Sequence, residues 1–138
     1  MDPDNPVVKL CVEGMKAEAD GKSNEALLLF MRAWEQSKED YEACIAAHYV
    51  ARQQKIPNDV LRWNQVSLDR ADAVRDERVA GFYPSLYLNM GKAHEDLGNL
   101  EQAKTYYELA FAKVDILPSG PYSEVVRKGI AAGLKRVS

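Results

Sequence analysis

Apolar side chains recur at intervals of three and four along almost all of this chain. No stretch sustains the alternation of a half-buried strand, so the pattern predicts helices alone. Val7, Leu10, Cys11, Gly14, Met15 and Ala17 form the first stripe. Asn5 followed by Pro6 reads as its N-cap and first helical residue, and Asp20-Gly21 as its stop. A second helix starts near Ser23 and carries Ala26, Leu27, Phe30, Ala33 and Trp34; so short a connection predicts an antiparallel pair. A third starts near Asp40, with Cys44, Ala47, His48 and Ala51 inward and Ile45 and Tyr49 beside them. Ile56-Pro57-Asn58-Asp59 reads as a turn, after which Val60, Leu61, Trp63, Val66, Leu68 and Ala71 mark a fourth helix.

The charged run Asp72 to Arg78 is expected to hold the next turn. A fifth helix is expected from Val79 to Leu97, with Pro84 near its first turn or at a kink. Gly98-Asn99 ends it, and a sixth helix uses Leu100, Ala103, Tyr106, Tyr107, Ala110 and Val114. Leu117-Pro118-Ser119-Gly120-Pro121 is the strongest breaker in the chain. Beyond it Tyr122, Val125, Val126, Ile130, Leu134 and Val137 form the stripe of a seventh helix.

Two of these segments share a register. Seven residues before the turn glycines Gly21 and Gly98 stand Gly14 and Gly91; five after stand Ala26 and Ala103; nine after, Phe30 and Tyr107; twelve after, Ala33 and Ala110; thirteen after, Trp34 and Phe111. Small residues let helix axes approach, so the glycines are expected where the two helices of a hairpin meet, with the alanines opposite and an aromatic filling the space against the next hairpin. The spacing resembles the tetratricopeptide repeat family, whose 34-residue pattern is matched by Tyr87, Met90, Gly91, His94, Ala103, Tyr107 and Ala110. Leu10, Gly14, Ala17, Ala26, Phe30 and Ala33 form a first copy that departs at Glu13 and Ala17, where the family has Leu and Tyr. A middle unit is degenerate, with His48 at a small-residue position. Ala26 and Ala103 lie 77 residues apart, nine more than two 34-residue units, and the excess is expected to lengthen the fourth and fifth helices.

The resemblance implies an all-α fold, a right-handed superhelix of antiparallel helix hairpins with about seven helices. It implies a single domain over 1–138: repeat 1 at about 6–38, a degenerate repeat 2 at about 40–74, repeat 3 at about 79–115, and a capping helix at about 121–137. It also implies a function, protein–protein interaction. In this family the first helix of each repeat lines a concave groove that holds a peptide or partner helix. Carried over by position, the groove takes Val8, Cys11 and Met15 from the first unit; Glu42, Ile45, Tyr49 and Arg52 from the second; and Arg78, Phe82, Ser85, Asn89 and Lys92 from the third. That mixture suits an extended peptide or helix with one acidic end. The family's carboxylate clamp needs Lys and Asn on the first helix; Cys11 and Met15 stand there, so clamp-type binding is not expected.

Composition narrows the alternatives. A 138-residue chain with 46% hydrophobic residues can bury a core without metals or disulfides. Its 18 basic and 21 acidic residues leave a net charge of -3, which argues against a nucleic-acid or membrane-surface partner. Neither a signal peptide nor a membrane span is readable, and two cysteines, Cys11 and Cys44, make no disulfide framework, so a reducing, cytoplasmic setting is the default expectation. No Gly-rich phosphate loop follows a strand, and no cofactor or metal is expected. His48, His94 and Cys44 are the candidates for an enzymatic or metal-dependent reading, yet each fits better as a packing residue. The acid pairs Glu18 with Asp20 and Glu95 with Asp96 read as solvated faces. A homo-oligomeric structural protein is the alternative to a monomeric scaffold.

Overall fold

The computed structural model describes residues 2–138. Seven α-helices follow one another: α1 (Pro6–Ala19), α2 (Ser23–Gln36), α3 (Asp40–Arg52), α4 (Pro57–Ala73), α5 (Tyr83–Asp96), α6 (Leu100–Ala112) and α7 (Pro121–Val137). Short 3-10 helices lie at Glu77–Phe82 and Val114–Ile116, and no strand occurs among the described residues. Neighbouring helices pack in consecutive pairs, as in a helical-repeat solenoid, within two compact units that divide after Val74.

The first unit holds α1 to α4. Asn5 has extended backbone, and its side-chain oxygen accepts from the Val7 and Val8 N–H groups at 2.8 and 3.2 Å, two donors the first turn leaves without helical partners. At the other end Gly21 takes a φ of +75°, which lets the Lys22 N–H return to the Ala17 carbonyl at 2.8 Å and close the helix. α2 buries Ala26, Phe30 and Ala33. α3 is buried almost all round, at Ala43, Cys44, Ile45, Ala46, Ala47, Val50 and Ala51, because α1, α2 and α4 all pack on it. α3 and α4 run antiparallel: the Ser67 hydroxyl donates to the Cys44 carbonyl at 2.8 Å, while Arg70, further along α4, reaches back to Asp40 at 2.9 Å. Pro57, expected in a turn, is instead the first residue of α4 behind an extended Ile56, since its missing N–H costs nothing there.

The second unit holds α5 to α7. The expected single helix from Val79 is divided. A 3-10 helix covers Glu77–Phe82, with the Asp76 carboxylate accepting from the Arg78 N–H at 2.9 Å, and α5 begins at Tyr83 with Pro84 in its first turn. Proline lacks the donor that a continuous α-helix would need at that point, and its ring clashes with the preceding turn. The nine-residue excess therefore goes into a 17-residue α4 and the six-residue 3-10 helix, not into α5, which at 14 residues equals α1. α6 stops at Ala112, so Val114 falls in the second 3-10 helix. Gly98 repeats the stop of α1, with φ +81° and the Asn99 N–H on the His94 carbonyl at 2.9 Å.

The paired small and aromatic positions meet as two wedges. A Cβ on Gly14 would overlap Cε1 of the Phe30 ring, and one on Gly91 would lie 2.7 Å from ring carbons of Tyr107. The glycines thus make room for the aromatics of the second helix, not chiefly for Ala26 and Ala103, which are buried nearby. Each aromatic also meets the next first helix, as expected: Phe30 stacks on Tyr49 at 5.2 Å, and Tyr107 rests on Gly133 of α7, where a Cβ would lie 2.5 Å from the ring. The last aromatic of the pattern behaves differently in the two copies. Trp34 packs edge-on against Trp63 of α4 at 5.2 Å, whereas Phe111 is 61% exposed. The stripe of α7 also splits. Val126 and Ile130 join a core with Ala110 and Leu117, while Tyr122 and Val125 are exposed.

Candidate functional site

In the first unit α1 and α3 lie side by side, joined by polar contacts at both ends. At one end the Asn5 amide donates to Glu42 at 2.8 Å, and the Lys38 N–H donates to the same carboxylate at 2.8 Å; that backbone bond, helped by Asn5, holds the Glu42 carboxyl below the usual range. At the other end Arg52 meets Glu18 at 2.9 Å, and Gln53 donates to the other oxygen of Glu18. The Arg52 guanidinium also lies over the Tyr49 ring, 5.3 Å from its centroid, so Tyr49 is covered by Phe30 and Arg52. Met15 and Tyr49 are half-buried and Arg52 is exposed on this face, while Val8, Cys11 and Ile45 are buried beneath it.

The second unit repeats the arrangement with α5 and α7. Ser85 shares a hydrogen bond with the Tyr122 hydroxyl at one end. At the other, Arg136 grips Glu95 through two bonds of 2.8 and 3.0 Å, and the Tyr107 hydroxyl donates to Glu95 at 2.6 Å. Those bonds, Arg136 foremost, hold the Glu95 carboxyl down to about 2. Burial, then the bond to Glu95, pushes the Tyr107 phenol up to about 12. Phe82, Ser85 and Asn89 are half-buried on this unit, and Arg78 and Lys92 are exposed. Arg78 pairs with Asp76 at 3.0 Å and Lys92 with Asp96 at 2.9 Å.

The two clasps are copies of one another. Glu18 and Glu95 each stand four residues after the helix glycine, 77 residues apart, and Arg52 and Arg136 stand 84 apart on α3 and α7. The same 84-residue offset places Gly133 where α3 has Tyr49, which is why Tyr107 rests on a glycine while Phe30 stacks on a ring. Glu18 and Glu95 are therefore not solvated faces: their side chains are 15% and 16% exposed, and each holds two neighbouring first helices together. The signal was present as an acid four after each glycine. Its partner arginines come from helices that follow connections of different length, so the pair was not readable from spacing.

The cysteines and histidines lie among packed neighbours. Burial pushes the Cys11 thiol up to about 12 and the Cys44 thiol up to about 11, both remote from the reactive thiolate range. His48 sits edge-on to Tyr49 at 4.9 Å, and burial, with Arg52 adding, pushes its imidazole down to about 4. His94 stacks on Tyr106 at 5.5 Å and bonds Asn99 through Nδ1 at 3.2 Å; burial lowers its pKa. Among the described residues no three His, Cys, Asp or Glu side chains are grouped to hold a metal ion, and no helix is long and apolar enough to cross a membrane. A cleft of about 380 Å³ opens in the first unit beside Trp34, Glu35, Asp40 and Arg70. Arg70 is one of its lining residues, its guanidinium 5.5 Å from the Trp34 ring and paired with Asp40 at 2.9 Å.

Comparison with curated proteins returned no match. Residues 84–112, which span nearly all of α5 and all of α6, match the tetratricopeptide repeat family. That segment holds Gly91, Ala103, Tyr107 and Ala110, the small and aromatic positions that pack α5 against α6. The segment formed by α5 and α6 is thus similar to a tetratricopeptide repeat hairpin, set in an all-helical chain whose helices pack in consecutive pairs.

Proposed function

We propose that this chain is a protein-interaction module that holds a peptide or partner helix on the faces of its first helices. The observation that carries the reading is the repeated clasp, Glu18 with Arg52 and Glu95 with Arg136, beneath which a glycine and an aromatic fix the spacing of adjacent helices. A face whose helices are already locked loses little entropy on binding, which favours affinity at modest contact area. The contact residues are Met15, Glu42, Ile45, Tyr49 and Arg52 in the first unit, with Ile45 acting from below the surface, and Arg78, Phe82, Ser85, Asn89 and Lys92 in the second. Arg52, Arg78 and Lys92 are exposed but each is paired with an acid, Glu18, Asp76 and Asp96, so an acidic partner end would bind by exchanging with those pairs.

The test is affinity capture from native lysate, followed by titration of each purified partner against the wild type and the variants Tyr49→Ala, Arg52→Ala and Asn89→Ala. The expected result is a loss of about tenfold or more in affinity for at least one variant, with its fold intact by circular dichroism. Partners bound equally by all three variants would remove the first-helix faces from consideration.

A further inference from the structure

The first unit shows what belongs on the surface that the second unit leaves bare. In the first unit, α2 and α3 are covered by α4: Ser67 lies against Cys44, Trp63 meets Trp34, and Arg70 spans the Trp34 ring and Asp40. α6 and α7 present the corresponding surface. The 77-residue offset places Phe111 where α2 has Trp34, and the 84-residue offset places Glu124 for Asp40, Val125 for Tyr41, Lys128 for Cys44, Ala131 for Ala47 and Lys135 for Ala51. Cys44, Ala47 and Ala51 are buried; Lys128, Ala131 and Lys135 are all exposed, as are Phe111 at 61% and Val125 at 69%. No described residue plays the part of α4 here.

This surface has its own charge pattern. By the same offsets Phe111 and Glu124 stand where Trp34 and Asp40 receive Arg70, so a cation is the matching group there. Two lysines replace the small apolar residues that α4 covers, so a helix docking in the manner of α4 must be acidic along that stretch. Ser67 precedes Arg70 by three residues and touches Cys44, so the acid that meets Lys128 belongs one turn before the partner's cation. A large exposed apolar residue on either side of the α6–α7 junction supplies the hydrophobic contact.

We propose that the bare face of α6 and α7 docks an amphipathic helix of another protein, apolar against Phe111 and Val125, acidic against Lys128 and Lys135, and basic against Glu124. This surface is separate from the first-helix faces, so neither assignment depends on the other.

The experiment uses a capped synthetic peptide with the sequence of residues 57–73 carrying Ser67→Glu, titrated into the full chain and followed by fluorescence anisotropy and by NMR shifts of α6 and α7. The expected result is saturable binding that perturbs α7, weakens about tenfold or more with Lys128→Glu or Phe111→Ala, and recovers when Lys128→Glu meets a peptide carrying Ser67→Lys. All the altered protein residues are exposed, so these variants should fold, and circular dichroism checks this. No saturable binding at millimolar peptide would overturn the proposal. So would binding indifferent to Lys128 and Phe111, or light scattering that shows the face occupied by a second copy of this chain.

Discussion

The Tyr107 wedge gives the sharpest test of how the hairpins pack. Gly91→Ala places a Cβ 2.7 Å from Cδ1 and Cε1 of Tyr107, against the roughly 3.5–4.0 Å of a relaxed carbon contact, an overlap of about 1 Å. The ring has little freedom to move, because Gly133 of α7 also approaches it closely and Glu95 and Arg136 hold its hydroxyl. Overpacking of a clamped, fully buried ring costs about 3 kcal/mol, while replacing glycine by alanine within a helix gains about 1. The net expectation is a loss of about 2 kcal/mol, read as a lower midpoint in urea unfolding with an unchanged slope. Gly81→Ala is the control: nothing lies within 4 Å of the point its Cβ would occupy, so its effect should stay within about 0.5 kcal/mol. In a double-mutant cycle, Tyr107→Leu should cancel most of the cost of Gly91→Ala, since the smaller side chain vacates the overlap. A Gly91→Ala protein as stable as the wild type, or more stable by the helix-propensity gain, would refute the wedge.

Three further outcomes follow from the polar contacts. Glu95 has a folded pKa of about 2 against an ordinary 4.5, so its contribution is present above pH 4.5 and lost as pH falls toward 2; Glu95→Gln should remove about 1–2 kcal/mol at pH 7 and flatten the acid limb of the stability profile. His48 is held near 4 against an ordinary 6.5 chiefly by burial, so its contribution is present above pH 6.5 and is lost as pH falls from there to 4; the loss should be about 2–3 kcal/mol, and His48→Gln should abolish that part of the pH dependence measured by chemical unfolding. Asn5→Ala removes the cap of α1 and the bond to Glu42, and should cost about 1–2 kcal/mol in thermal or denaturant unfolding, with Asn5→Ser recovering the capping share.

Much of the fold was legible in the sequence. The cap at Asn5 and the stops at Gly21 and Gly98 are local features, decided by a side chain's reach or a backbone's freedom within a few residues. The Gly, Ala and aromatic register identified the packed hairpins for the same reason: small residues and a large ring at fixed spacing have one economical use. The pattern misleads where two local rules compete. Val79 to Leu97 carries helical periodicity, yet Pro84 resets the helix and leaves a 3-10 turn before it. Ile56-Pro57 resembles a turn and a helix start equally well, and the extended Ile56 followed by helix chose the second. The candidate binding face was legible only as a set of positions. Their spacing did not reveal that Ile45 lies beneath the surface, or that Glu42 and Arg52 are engaged by neighbours.

The sequence alone determined that this chain forms about seven helices with two closely packed hairpins that share a Gly, Ala and aromatic register, because helix periodicity and steric size act over distances that spacing encodes; that the glycines meet chiefly the aromatics and not the alanines was settled by the packing. Tertiary structure alone decided which side chains from separate helices meet. It joined Glu18 to Arg52 and Glu95 to Arg136, placed Gly133 under Tyr107 where Tyr49 lies on Phe30, and left Phe111 bare where Trp34 is covered. Those outcomes depend on which helix covers which, and that is fixed by the packing of whole elements rather than by any interval along the chain.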